Sequence, residues 1–132
     1  MTDILSTLKS MPEFCSYKKA EMTEINKAEK DLNLKFSEEY KSYLLNYGFA
    51  TYEGHELTGI CKAKRLNVVE VTKAERNNNP NVPNDCYVIE TANIDGIVIW
   101  QNEDGLIFQS SPNTNSVELY NSLCEYILSC SN

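Results

Sequence analysis

The chain has 132 residues, of which 42% are hydrophobic and 23% charged, and its formal net charge is −7. This length fits one domain with a single core, and the composition is that of a folded rather than a disordered protein. No apolar run approaches the roughly 18 residues that cross a bilayer, and the first residues show no secretory signal. The five cysteines form no CxxC pair and no even framework, which favours a reducing compartment, the cytoplasm.

The negative charge lies in one part of the sequence. Residues 1–80 carry twelve acids and twelve bases, whereas residues 81–132 carry seven acids and no lysine or arginine. An acidic surface repels nucleic acid and anionic lipid and attracts basic partners, so we expect neither a nucleic-acid nor a membrane partner. The small basic group Lys62, Lys64 and Arg65 fits a solvated loop. A surface that serves only solubility would have the same composition, and that alternative stays open.

Three helices are predicted in the first third of the chain. Thr2 can cap a short first helix, and apolar residues at helical spacing predict a second helix over about Met22–Leu32. Ser37 predicts the N-cap of the third helix. Glu38 and Glu39 follow in its first turn, where carboxylates suit the positive end of the helix dipole.

After Gly48, which predicts the end of the third helix, the hydrophobic period changes. Short strands are expected around Ala50–Tyr52 and Glu56–Ile60. Thr72–Glu75 fits a capping box and predicts the start of a brief helix. Ser116 or a neighbour is expected to cap a final helix. Helices at both ends and strands between them predict a single α+β domain over residues 1–132, with a central antiparallel meander packed against the N- and C-terminal helices.

The stretch Asn84–Gln109 predicts that meander, because two Asp-Gly turns separate three apolar runs. A two-residue turn at Asp104-Gly105 would pair Trp100 with Gln109. Side-chain alternation then gives two faces. The predicted core face contains Ile97, Ile99, Leu106 and Phe108, and the opposite face contains Val98, Trp100, Asn102, Ile107 and Gln109. If the opposite face is open, Trp100 is an aromatic anchor among carboxylates; a one-residue register shift would bury it, and both alternatives stay open.

Catalytic chemistry has few candidates in this sequence. His55 is the single histidine, and its place beside Gly54 favours a solvent-facing loop. A Cys–His pair would need Cys15, Cys61 or Cys86 beside it, with a third group to orient the histidine. No metal-ligand spacing and no phosphate-binding loop motif is present. We therefore predict no catalytic residue, no metal and no cofactor; a pocket that gathers His55, a cysteine and a carboxylate would instead indicate an enzyme.

Three segments, in this order, resemble the SUKH superfamily, which is named in part after a fungal cell-wall assembly regulator of the Smi/Knr type. They are the stretch around SEEYKSYLLNYG at residues 37–48, ELTGI at residues 56–60, and YVIE followed by IDG at residues 87–96. The resemblance extends over about residues 22–128. The family often has Leu-Pro before its Glu-x-Tyr, where this sequence has Phe36-Ser37; both pairs start helices. Bacterial members are mostly immunity proteins, so the resemblance implies a module that binds and neutralises a toxin without chemistry of its own.

The acidic surface suggests which kind of toxin would bind. Nuclease toxins need cationic surfaces to hold phosphates, and an inhibitor that mimics a polyanion would compete with substrate. We therefore expect a cognate protein toxin with a basic C-terminal domain. The predicted partner-binding residues are Glu53, Glu56, Asp95, Trp100, Glu103 and Asp104. The alternative function is a non-catalytic regulatory or scaffold module, and the oligomeric state stays open.

Overall fold

The computed structural model describes residues 3–92, 96–112 and 116–130. The helices are α1 Ile4–Lys9, α2 Met22–Leu32, α3 Glu38–Tyr47, α4 Val68–Asn78 and α5 Leu123–Ser129. The strands are β1 Cys15–Ser16, β2 Ala50–Tyr52, β3 His55–Glu56, β4 Tyr87–Thr91, β5 Val98–Gln101, β6 Ile107–Ser110 and β7 Val117–Tyr120, and a short 3-10 helix covers Lys64–Leu66. Over these described ranges, no helix combines the length and the apolar character that a membrane span needs.

The strands form two antiparallel sheets. One has the order β1-β2-β3 and the other the order β4-β5-β6-β7, so the second sheet is a meander in which sequence neighbours pair. This confirms the predicted α+β class with an antiparallel meander between terminal helices. Neither sheet contains a crossover, because every connection joins adjacent strands.

Apolar side chains cover both faces of strands β4 and β5 in the meander. The main core packs one face against α1, α2, α3 and α5; its largest side chains are Phe36, Tyr40, Tyr43, Tyr52 and Tyr87. A second cluster lies on the other face, beneath α4; it comprises Val71, Val82, Cys86, Val88, Val98 and Trp100, with Phe108 packed against it. Strands β4 and β5 are therefore an inner layer of the protein, whereas the edge strand β7 is largely exposed. The face that carries Trp100, whose exposure the sequence left open, is covered.

The register of the β5–β6 hairpin differs from the prediction by one residue. Trp100 pairs with Phe108 rather than with Gln109, because the loop contains three residues, Glu103 to Gly105, instead of two. The Gly105 N–H donates to the Asn102 carbonyl at 3.0 Å, and Gly105 has φ +91, a left-handed conformation that glycine adopts without strain. The shift places Phe108 on the Trp100 face and sends Ile107 into the main core.

The predictions from local sequence signals are confirmed for the bounds of α2 and for the N-cap of α3. The bounds of α2 agree with the prediction, and Ser37 caps α3 by accepting a hydrogen bond from the Tyr40 N–H at 3.0 Å. The predicted capping box at Thr72 is wrong: α4 starts earlier, at Val68, and Asn67 is its N-cap. Thr72 lies in the middle of α4, and its hydroxyl accepts a hydrogen bond from the Val88 N–H at 3.0 Å.

Two further expectations fail near the ends of the chain. Val117–Tyr120 is a strand at the edge of the meander rather than the first turn of a helix. The final helix, α5, is capped by Ser122, whose hydroxyl accepts from the Glu125 N–H, and not by Ser116. In the first helix Asp3 is the N-cap, while the predicted cap, Thr2, lies outside the described residues.

Candidate partner-binding surface

The β5–β6 loop presents two of the predicted carboxylates to solvent. Glu103 and Asp104 are both exposed at its tip. The loop is held at its base, where the Asn102 side chain accepts a hydrogen bond from the Leu106 N–H at 3.0 Å. A loop anchored in this way holds its charges in a defined place, which is what a rigid contact surface requires.

The β2–β3 turn presents a third carboxylate. Glu53 is exposed and has φ +43, and Gly54 follows it with φ +81. Glu56 differs, because both its oxygens accept hydrogen bonds from the Arg65 guanidinium, at 2.7 and 2.9 Å. These hydrogen bonds lower the pKa of Glu56. Since its charge is already matched by Arg65, Glu56 contributes less negative potential to a partner than Glu53 does.

The predicted carboxylates do not form one cluster. Glu53 lies beside His55, whose side chain contacts Glu90, and Glu90 pairs with Ile99 in the meander. Glu103 is four residues beyond Ile99, which is roughly 14 Å along an extended chain. The two loops therefore lie near opposite ends of the sheet. Asp95, the remaining predicted carboxylate, lies outside the described residues.

The prediction that Trp100 contacts a partner is wrong. Its side chain is 0% exposed, and its indole N–H donates to the Ser110 hydroxyl at 2.8 Å, which in turn donates to the Asn79 side chain at 3.0 Å. The shifted hairpin register and the packing of α4 on that face enclose the ring. Trp100 is therefore a core residue whose polar atom is satisfied internally.

The acidic surface extends beyond the predicted residues. Besides Glu103 and Asp104, the C-terminal part of the chain exposes Asp85, Glu118 and Glu125. Within the described residues, none of these five carboxylates lies within 4.0 Å of a lysine, arginine or histidine nitrogen. Unpaired carboxylates leave a negative field that a basic partner can meet. We define these five residues as the C-terminal acidic surface.

No sequence pattern predicted the buried acid Glu90. Glu90 is 4% exposed; the Tyr126 hydroxyl donates to one of its oxygens, and the His55 Nδ1 lies 3.0 Å from the other. The His55 ring also stacks on Tyr52, with centroids 4.8 Å apart. His55 was expected to face solvent, but its side chain is 31% exposed and is held on its inner side by Glu90 and Tyr52. Burial, followed by the nearby Glu90 charge, raises the pKa of Tyr126, so this hydroxyl stays protonated and keeps donating to the carboxylate.

The His55–Glu90 contact joins a half-buried histidine to a buried carboxylate. Glu90 is 4% exposed, and neither Glu90 nor His55 lines the groove of about 810 Å³ that α2, the start of α4 and residues 17–20 form. Within the described residues, which include all five cysteines, no disulfide bond forms. In the portion of the chain that the structure covers, no three His, Cys, Asp or Glu side chains gather as a metal site would require. In the sequence, only the unusual pattern Glu-Gly-His-Glu marked His55 as a residue of interest. Its contact partner, Glu90, lies 35 positions further along the chain.

The comparisons with known proteins agree with this fold. The sequence matches the SUKH_5 family model, described as SMI1-KNR4 cell-wall, over residues 1–132. The chain therefore belongs to the SUKH family, which confirms the resemblance seen in its motifs. No curated protein matches it significantly. Among solved structures, a crystal structure of a protein from Pseudomonas syringae pv. tomato has a TM-score of 0.72 and 16% sequence identity, covering 92% of this chain and 91% of that chain. At 16% sequence identity, this similarity shows that the two proteins share a fold and shows nothing further about this chain.

Proposed function

We propose that this protein is an immunity protein that binds a cognate bacterial toxin and neutralises it in a stoichiometric complex. Membership of the SUKH family supports the proposal, because its bacterial members are mostly immunity proteins. The single observation that carries the choice of partner is the C-terminal acidic surface, in which five exposed carboxylates have no basic neighbour within 4.0 Å among the described residues.

The proposed partner is a basic toxin domain of the nuclease type. Such a domain needs cationic side chains to hold phosphates, and an acidic protein surface can occupy the same side chains. Charge complementarity of this kind chiefly raises the association rate. The contact would centre on Glu103 and Asp104, with Glu53 at a second point and Asp95 as a further predicted contact. The protein would act in the cytoplasm, without a cofactor and without a reaction of its own.

The first test is capture of the tagged protein from the lysate of its native cell, followed by mass spectrometry of any one-to-one partner. The expected partner is a large secreted protein that ends in a small basic domain. That C-terminal domain is then expressed alone in a heterologous host. Growth arrest that is relieved by co-expression of this protein would establish neutralisation.

The electrostatic part of the proposal has its own test, with a variant matched in charge. Glu103→Lys is compared with Asp31→Lys, because Asp31 is also exposed but lies on α2 rather than on the C-terminal acidic surface. Glu103→Lys should slow association with the toxin several-fold and leave dissociation nearly unchanged. Equal association rates for the two variants, with a flat dependence on salt, would remove the acidic surface from the mechanism.

A regulatory or scaffold module is the alternative for this family. It predicts several weak partners in the capture experiment rather than one stoichiometric toxin, and no relief of growth arrest. That result would reject the immunity function while leaving the fold and the family assignment intact.

A further inference from the structure

A groove of about 810 Å³ lies where α2, the start of α4 and residues 17–20 meet. Its lining contains five of the twelve lysines and arginines of the chain. These are Lys18, Lys19, Lys27, Lys62 and Lys73, and all five are exposed. They come from two helices and two loops, so their proximity is a product of the fold. We refer to this feature as the lysine groove.

The ammonium groups of the lysine groove are not neutralised directly. Three carboxylates, of Glu24, Asp31 and Glu70, also line it. Nevertheless, over the described residues no carboxylate oxygen lies within 4.0 Å of any of the five lysine nitrogens. The lining therefore has an excess of two positive charges in a chain whose net charge is −7. Unpaired like charges repel one another, and a bound anion would relieve that repulsion.

An aromatic pair forms part of the same wall. The rings of Tyr17 and Phe49 stack with centroids 3.9 Å apart and planes 6° apart, and both line the groove. Tyr17 nevertheless remains 46% exposed. An exposed, already ordered ring offers a flat surface on which another planar ring can stack at little entropic cost.

The backbone holds this wall in place. The N–H of Tyr17 donates to the Tyr47 carbonyl at 3.0 Å, and the N–H of Ala20 donates to the Leu44 carbonyl at 3.0 Å. Residues 17–20 therefore lie along α3. The close approach requires Gly48, since a Cβ atom there would lie 1.8 Å from the Lys18 carbonyl oxygen. The lysines and the aromatic pair are thus presented by a fixed scaffold rather than by a free loop.

We propose that the lysine groove binds a nucleotide, with its phosphates among the lysines and its base against the Tyr17–Phe49 pair. Lysines provide strong, charge-assisted hydrogen bonds to phosphate oxygens, and an aromatic plane stacks on any base. The volume is within the range of pockets that enclose small ligands. The positive end of the α4 dipole lies in the same wall, since Asn67, Val69 and Glu70 line it.

The acidity of the whole chain does not oppose this binding strongly. Exposed charges are screened beyond about 8 to 10 Å at physiological salt, so the lysines dominate the potential inside the groove. An acidic protein attracts free polyanions only weakly. Binding of an anion to this protein would therefore indicate a specific site rather than a diffuse electrostatic attraction.

Calorimetry on the full chain at physiological ionic strength tests the proposal with three probes: ATP, inorganic tripolyphosphate and adenosine. We expect ATP to bind at one site per chain, tripolyphosphate to bind the same site roughly tenfold or more weakly, and adenosine to give no measurable heat. Raising the salt concentration should weaken ATP binding. Competition between ATP and tripolyphosphate shows that they share the site.

Two variants locate the ligand, and one serves as their control. Lys27→Gln should weaken ATP binding roughly tenfold, whereas Lys30→Gln, an exposed lysine on the same helix outside the groove, should not. Tyr17→Leu should weaken binding of ATP but not of tripolyphosphate. Thermal melting of each variant verifies that it is folded.

Several outcomes would overturn the proposal. Absence of binding by both ATP and tripolyphosphate rejects an anion site. Equal effects of Lys27→Gln and Lys30→Gln mean a diffuse attraction. If Tyr17→Leu weakens the two phosphate ligands alike, the base does not stack there. If poly-glutamate binds and ATP does not, the groove takes an acidic protein segment and the nucleotide assignment is wrong.

Discussion

Removing the charge of Glu39 should destabilise the protein through a helix that lies far away in the sequence. Glu39 is in the first turn of α3, but its carboxylate accepts hydrogen bonds from the backbone N–H groups of Leu123 and Cys124, at 2.7 and 2.9 Å. Those groups belong to the free N-terminal end of α5. The same carboxylate also accepts from the Gln101 side chain at 2.9 Å, so it joins α3, β5 and α5.

The magnitude follows from these contacts. In Glu39→Gln one of the two acceptor oxygens becomes an NH2 group, which leaves at least one partly buried donor unsatisfied at a cost of about 1 to 3 kcal/mol. Loss of the negative charge at the N-terminus of α5 adds about 0.3 to 1 kcal/mol. We expect the free energy of unfolding to fall by about 2 kcal/mol, which corresponds to a urea midpoint lower by about 1 M.

Urea unfolding monitored by circular dichroism measures this change, and the neighbouring residue supplies the control. The Glu38 side chain is 95% exposed, and within the described residues its one ion pair is with Lys41, at 3.5 Å. Glu38→Gln has the same charge change in the same helical turn, yet it should leave the midpoint almost unchanged because exposed ion pairs contribute little. If both variants shift the midpoint equally, the carboxylate of Glu39 does not cap α5.

Two further predictions concern buried side chains. Trp100, the one tryptophan of the sequence, should resist iodide quenching of its fluorescence until urea unfolds the protein, because the ring is fully buried; native quenching equal to that of the unfolded chain would contradict this packing. Among the thiols, the exposed Cys15 should react with iodoacetamide before the buried Cys86. Burial, and then the adjacent Asp85, raise the pKa of Cys86 to about 12, so its reactive thiolate stays rare at neutral and mildly alkaline pH, and peptide mass spectrometry should find it unmodified unless the protein unfolds.

The helices near the N-terminus could be predicted because their signals are local. The hydrophobic spacing of α2 and the Ser37 cap of α3 involve residues three or four positions apart. The start of α4 was missed because Asn67, its cap, precedes a run of β-branched residues that favours a strand. For Val117–Tyr120 the error was the opposite one, because a helix was predicted where the structure has strand β7. A short apolar segment fits a strand or a helix equally well in isolation.

The predicted loop carboxylates Glu103 and Asp104 are exposed, whereas the predicted anchor Trp100 is buried, and the geometry of one loop explains the difference. Asp-Gly marks a turn in either a two-residue or a three-residue loop, and the sequence does not distinguish them. The observed loop has three residues, which turns Phe108 toward Trp100 and brings both beneath α4. Glu103 and Asp104 are exposed despite the change in hairpin register, because both registers place them at the tip of the loop.

The sequence alone was enough to assign the SUKH family, the α+β class, and an acidic C-terminal part that contains no lysine or arginine. It could assign Glu39 only to the dipole of its own helix, whereas the fold brings it to α5, 84 positions away. The sequence also did not indicate the lysine groove, because residues 1–80 contain equal numbers of acidic and basic residues. Local signals act within one turn of the chain, while these contacts join residues that only packing brings together. Packing therefore determines which of the described charges pair with one another and which have no opposite charge within 4.0 Å.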